Sequence, residues 1–116
     1  MAQAQLSLTA KREGSTLRLS VAGELDRGGA ARVERALDEA LGLAGDQIVV
    51  DLSAVTFLDR AAIRALFDAH ARTRNHGLDL TVVRPSGTAS RVFTLTRVGE
   101  VLPVIARDPG EAHPPS

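Results

Sequence analysis

The feature that most constrains the fold is the run Ile48-Val49-Val50-Asp51-Leu52, short, β-branched and almost wholly apolar. Branched side chains pack well on a pleated surface out of water, so this run predicts a central strand covered on at least one side. Helical periodicity brackets it. Upstream, Ala30, Val33, Leu37, Ala40 and Leu41 recur at helical spacing as far as Gly42 or Gly45. Downstream, a second helix begins near Asp59 and stops near Gly77, with Ala62, Ile63, Leu66, Phe67 and His70 along one face and Arg60, Arg64, Asp68 and Arg72 elsewhere.

The flanks extend this alternation of periods. Leu6, Leu8 and Ala10 alternate with polar residues, and after Glu13-Gly14-Ser15 the pattern resumes at Leu17, Leu19 and Val21, which predicts a hairpin whose first strand ends near Lys11. Gly23 to Gly29, with three glycines and Asp26, reads as a loop. Leu78, Leu80, Val82 and Val83 form a further strand closed by Pro85, whose ring fixes φ and removes a donor. Ala89, Val92, Phe93 and Thr96 predict a third helix, and Val101-Leu102-Pro103-Val104-Ile105 a last strand that Pro103 confines to an edge. The expected architecture is one α/β domain over residues 1–106, in the order β-β-α-β-α-β-α-β. Its mixed sheet opens with an antiparallel hairpin and continues through right-handed helical crossovers. Residues 107–116, rich in Pro and polar residues, read as a disordered tail.

Composition removes several function classes. At 116 residues the chain suits a single core, and no apolar run approaches the roughly 20 residues needed to cross a bilayer. Met1-Ala-Gln-Ala-Gln lacks the basic flank and apolar stretch of a secretory signal, so a cytoplasmic protein is expected. The absence of cysteine rules out disulfides and thiolate zinc sites. Fourteen basic residues balance fourteen acidic ones, leaving no overall positive field for nucleic acid, and with 3% aromatics, all Phe, stacking platforms are scarce. His70 falls on an apolar face and reads as a packed histidine, while His76 and His113 lack metal-ligand spacing. No Ser or Thr shows a base partner and no glycine-rich phosphate loop occurs, so neither enzyme activity nor a cofactor is expected.

Two stretches carry a family likeness: Gly23-Glu24-Leu25-Asp26 before the Ala-rich first helix, and Val49 to Asp59 (Val-Val-Asp-Leu-Ser-Ala-Val-Thr-Phe-Leu-Asp) leading into the second. Leu80 to Pro85, Arg91 to Thr96 and Val101 to Val104 follow in matching order. Over residues 6 to 105 the chain resembles the STAS (sulfate transporter and anti-sigma factor antagonist) family. The resemblance implies a protein that regulates transcription by partner switching, bound by an anti-sigma factor or a serine-protein kinase of ATPase fold. It implies that phosphorylation of a serine just after the Asp opening the second helix turns the antagonist off. Here that motif reads Asp59-Arg60-Ala61-Ala62, so the acceptor position falls on Ala61, which has no hydroxyl. The resemblance also places a glycine at the end of the third helix where Arg97 stands, so Gly99 is expected to supply the left-handed turn.

The candidate partner-binding residues are Asp26, Asp59, Arg60, Ala61, Arg64 and Asp68. Asp59 and Asp26 also suit N-caps of the two helices. Arg60 puts a cation in the first turn, where the helix dipole disfavours it by about 0.3–1 kcal/mol, so it is expected to point into water or toward an acidic partner or bound anion. An alternative is a STAS subunit of another assembly: a signalling complex, a transporter complex or a nucleotide-binding regulator. A remote alternative is a receiver-like domain with Asp51 as phosphoacceptor at a strand end, although a receiver needs an acidic pair after its first strand and this one ends Ala-Lys-Arg. Oligomeric state is open.

Overall fold

In the computed structural model, which describes residues 6–43 and 45–105, the run around Val50 is the middle strand of a five-stranded sheet. The strands β1 (Leu6–Glu13) and β2 (Thr16–Leu25) form the hairpin. There follow α1 (Arg27–Leu41), β3 (Gln47–Leu58), α2 (Arg60–Asn75), β4 (Asp79–Val83), α3 (Gly87–Thr96), a 3-10 turn (Val98–Glu100) and β5 (Val104–Ile105). The spatial order is β1-β2-β3-β4-β5, antiparallel between β1 and β2 and parallel thereafter. This is the α/β architecture expected, with β5 at an edge. The tail proposed for 107–116 lies outside the described residues.

Register explains the core. Parallel pairing sets Leu17 beside Ile48, Leu19 beside Val50, and both β3 residues beside Leu80 and Val82. Cross-strand partners share a pleat, so these side chains form one apolar surface. Onto it pack Val33, Leu37 and Ala40 of α1, Ala62, Leu66 and Ala69 of α2, and Ala89 and Phe93 of α3, in one continuous cluster. On the outer side of the helix pair, Arg72 of α2 makes an ion pair with Asp38 of α1.

The other pleat of the sheet is also out of water at its centre. Arg18, Val49, Asp51 and Val83 are all buried there, so the middle of β3 is out of water on both faces. Arg18 Nη1 donates to Asp51 Oδ2 at 3.3 Å, with side chains 7% and 8% exposed. The second Asp51 oxygen accepts from the Ser53 amide at 2.9 Å and the Ser53 hydroxyl at 2.7 Å. A buried carboxylate is tolerable only when its lone pairs are filled in this way.

Four sequence expectations change. Gly23 to Gly29 is not a loop: β2 continues to Leu25, α1 begins at Arg27, and Asp26 alone links them. Gly29 lets the helix start this close, because a Cβ there would stand 3.0 Å from Leu6 Cδ2 and 3.3 Å from the Glu24 carbonyl oxygen. The central strand does not stop at Leu52 but runs to Leu58, through two register shifts against β2 that each add a residue to β3. Burial then falls on Leu52, Val55 and Leu58, a three-residue spacing that hides the strand from any period-two reading. At the third helix, Arg97 itself takes the left-handed conformation at φ 56°, while Gly99 lies in the 3-10 turn without positive φ. That turn also shortens the last strand: Leu102 N donates to the Val98 carbonyl, Leu102 enters the core, and only Val104–Ile105 pair with β4. Pro103 contributes its carbonyl to Val82 N, a role that needs no donor.

Two stability outcomes follow. An L-residue in the left-handed region costs about 1–2 kcal/mol relative to a relaxed backbone, and the exposed Arg97–Glu100 pair at 3.9 Å returns little of it. Arg97→Gly is expected to raise the urea midpoint by an amount equivalent to about 1 kcal/mol with unchanged m-value. Asp51→Ala removes a carboxylate from a buried guanidinium and is expected to destabilise by about 3–5 kcal/mol in the same assay.

Candidate functional site

The parallel pairing of β2 with β3 ends with Leu25 opposite Leu58, so the residues that follow, Asp26 and Asp59, leave the sheet side by side at one edge. Both backbones are extended at that point, and each opens a helix at the next residue. Asp59 N donates to the Leu25 carbonyl at 3.3 Å, fastening the start of α2 to the end of β2. The first helix and the second therefore present their N-termini together.

Each N-terminus is closed by its own carboxylate. Asp26 Oδ1 accepts from Gly29 N at 2.9 Å. Asp59 Oδ1 accepts from Ala61 N at 2.9 Å and Ala62 N at 3.2 Å. These bonds satisfy amides that the helix leaves free, and they set a negative charge against the positive end of each dipole. The Gly29, Ala61 and Ala62 amides are thus already engaged.

Around the capped ends the side chains divide by exposure. Arg60 is exposed, Ala61 is half-buried with its methyl against the core, and Arg64 and Asp68 lie one and two turns further along the wet face of α2. Arg60, Arg64 and Asp68 make no ion pair or side-chain hydrogen bond among the described residues. The structure thus groups the sequence candidates along one edge and its adjoining helix face.

Phe57 joins them although no periodicity in the sequence points to it. It sits in register with the exposed Glu24 at the ends of β3 and β2 and is 49% exposed. The register shift between Gly23 and Glu24 is what turns it outward, aided by Gly23 at φ 104°, a conformation suited to glycine. Beside it, the Thr56 hydroxyl donates to the Gly23 carbonyl at 3.3 Å.

Asp51 does not belong to this edge. It is buried within β3, seven residues before the strand ends, and its oxygens are held by Arg18 and Ser53. The receiver-like reading required an acceptor at a strand end and is corrected accordingly. His70 is half-buried on α2, and its ring makes no hydrogen bond among the described residues. No cluster of three or more potential metal ligands occurs among the described residues, and no described helix is long and apolar enough to cross a membrane.

Comparison with known proteins places this geometry. A family model described as "Mlab, STAS domain" matches residues 8–104. An anti-sigma factor antagonist from Mycobacterium paratuberculosis is 24% identical and superposes with a TM-score of 0.80, over 91% of this chain and 90% of that one. The anti-sigma factor antagonist SpoIIAA in its unphosphorylated form is 15% identical, with a TM-score of 0.71 over 86% and 89% of the two chains. SpoIIAA is a Bacillus cell fate determinant whose phosphorylated form has also been solved. The Thermotoga maritima protein tm1081 is 20% identical, with a TM-score of 0.71 over 84% of each chain. At these identities the likeness is one of fold.

The caps themselves are open to measurement. Asp59→Ala is expected to lower stability by about 1 kcal/mol in chemical denaturation, and Asp59→Asn by a few tenths, because Asn keeps an acceptor oxygen at the cap.

Proposed function

The chain belongs to the STAS domain family, and from that premise we propose that it is an anti-sigma factor antagonist-like binding module that regulates transcription by partner switching. The partner is an anti-sigma factor or serine-protein kinase of ATPase fold, met at the edge where Asp26 and Asp59 open α1 and α2. The observation that carries this reading is the fastening of the two capped helix starts to one another, through Asp59 N and the Leu25 carbonyl, beside the exposed Phe57, Arg60 and Arg64. A rigid edge with exposed apolar and charged groups lets a partner bind without first ordering the surface.

Ala61 stands where the resemblance places the phosphoacceptor serine, and its methyl offers no oxygen to a kinase. A phosphoryl group there would add about 1.5–2 negative charges next to the Asp59 carboxylate, which already occupies the Ala61 and Ala62 amides. Without the hydroxyl the edge keeps one charge state, and the protein stays competent to bind.

Two measurements test this. A pull-down from host extract with the full chain as bait is expected to recover an anti-sigma factor or ATPase-fold kinase. Recovery of neither, or saturable calorimetric binding of GTP or GDP in its place, overturns the reading. Incubated with that kinase and ATP, the wild-type chain is expected to gain no phosphate while Ala61→Ser gains one at residue 61. Phosphate on Thr56 or Ser53 of the wild type would sink the single charge state.

A further inference from the structure

Next to this edge, α2 and the last turn of α3 wall a groove of about 570 Å³ lined by Arg60, Ile63, Arg64, Phe67, Asp68 and Thr96. Its floor is apolar. Ile63 is 6% exposed, Phe67 is half-buried, and the Thr96 hydroxyl is turned back onto the Val92 carbonyl at 2.6 Å, so it asks nothing of a ligand. Its rim is charged, and unequally so.

Arg60 and Arg64 stand one turn apart near the start of α2, and Asp68 follows one turn later. None of the three is paired among the described residues, although Arg64 and Asp68 have the spacing to bridge. Arg60 is moreover a cation in the first turn of a helix whose cap carboxylate, Asp59, is bonded to the Ala61 and Ala62 amides. From Arg60 to Asp68 the rim runs about 12 Å at 1.5 Å per residue, the length of two turns of a helix laid alongside. A groove between two helices is the shape into which the side-chain ridge of a third fits.

Building on the binding role argued above, we propose that this groove receives an acidic amphipathic helix of the partner protein. An aliphatic or aromatic anchor enters between Ile63, Phe67 and Thr96, and carboxylates face Arg60 and Arg64. A cation faces Asp68, so the two ends of the rim fix the direction in which the helix lies. Apolar anchors supply affinity and the complementary charges supply register and encounter rate.

Random peptides displayed on phage and panned against the full chain provide the probe, with affinities of enriched peptides read by fluorescence anisotropy. Enriched sequences are expected to carry acidic residues around apolar pairs at i, i+3 or i, i+4 spacing. The double variant Arg60→Glu/Arg64→Glu, whose changes lie on exposed positions, is expected to raise their Kd by about tenfold or more and, when panned afresh, to select basic peptides. Phe67→Ala is expected to weaken the same peptides while leaving the circular dichroism spectrum unchanged. No enrichment, enrichment of peptides without that pattern, or affinities indifferent to the double variant overturns the proposal. So does a dimer of the wild type that the double variant disperses, which would assign the groove to a second copy. An ATPase-fold partner that binds the double variant as tightly as the wild type removes the groove but leaves the proposed function standing. Acidic peptides selected as described, with no such partner recovered from extract, do the reverse.

Discussion

The parallel pairing of β2 with β3 is the interaction on which the rest of the molecule depends. It sets Leu17 and Leu19 beside Ile48 and Val50 to make the floor of the core, and it ends with Leu25 opposite Leu58. Because both strands run the same way, both following helices must start at the same edge of the sheet. Antiparallel pairing would have sent Asp26 and Asp59 to opposite ends. The candidate binding edge is thus a consequence of strand direction before any side chain is considered.

Charge is handled in two different ways in this fold. In the interior, Asp51 is enclosed with Arg18 and Ser53, which take up its oxygens at the buried centre of the sheet. At the edge, Asp26 and Asp59 are spent on their own helices, while Arg60, Arg64 and Asp68 find no partner among the described residues. The carboxylates that look most functional in the sequence are therefore those most occupied structurally. What the surface presents is the charge of Arg60, Arg64 and Asp68 on α2, the outward Phe57 and the apolar groove between α2 and α3.

Much of the fold was legible because its signals are local. Alternation gave the hairpin, 3.6-residue spacing gave α1, α2 and α3, and the β-branched run gave the centre of the sheet. Asp59 before an apolar helical pattern marked a cap for the same reason, since a cap bonds amides only two or three residues away. Other features were not legible. The far half of β3 escaped notice because the register shifts that bend it are a relation to β2, and a lone strand carries no mark of where its neighbour slips. The short link at Asp26 depends on Gly29 meeting Leu6 and the Glu24 carbonyl, residues far off in sequence or facing it across the turn. Arg97 accepts a left-handed backbone because Val98 and Leu102 are drawn into the core on either side of the turn, which outweighs the local preference for glycine there.

By itself the amino-acid sequence determined where the hairpin, the three helices and the centre of the sheet lie, that Asp59 opens the second helix, and that residue 61 is an alanine without a hydroxyl. All of these are set by a residue's own chemistry or by neighbours within one turn. Tertiary structure alone decided that Asp26 and Asp59 stand together, that Asp51 is sealed away from solvent, that Phe57 faces outward, and that α2 and α3 leave a groove between them. Those outcomes rest on register, burial and helix packing, which are properties of pairs of segments and have no representation in either segment alone.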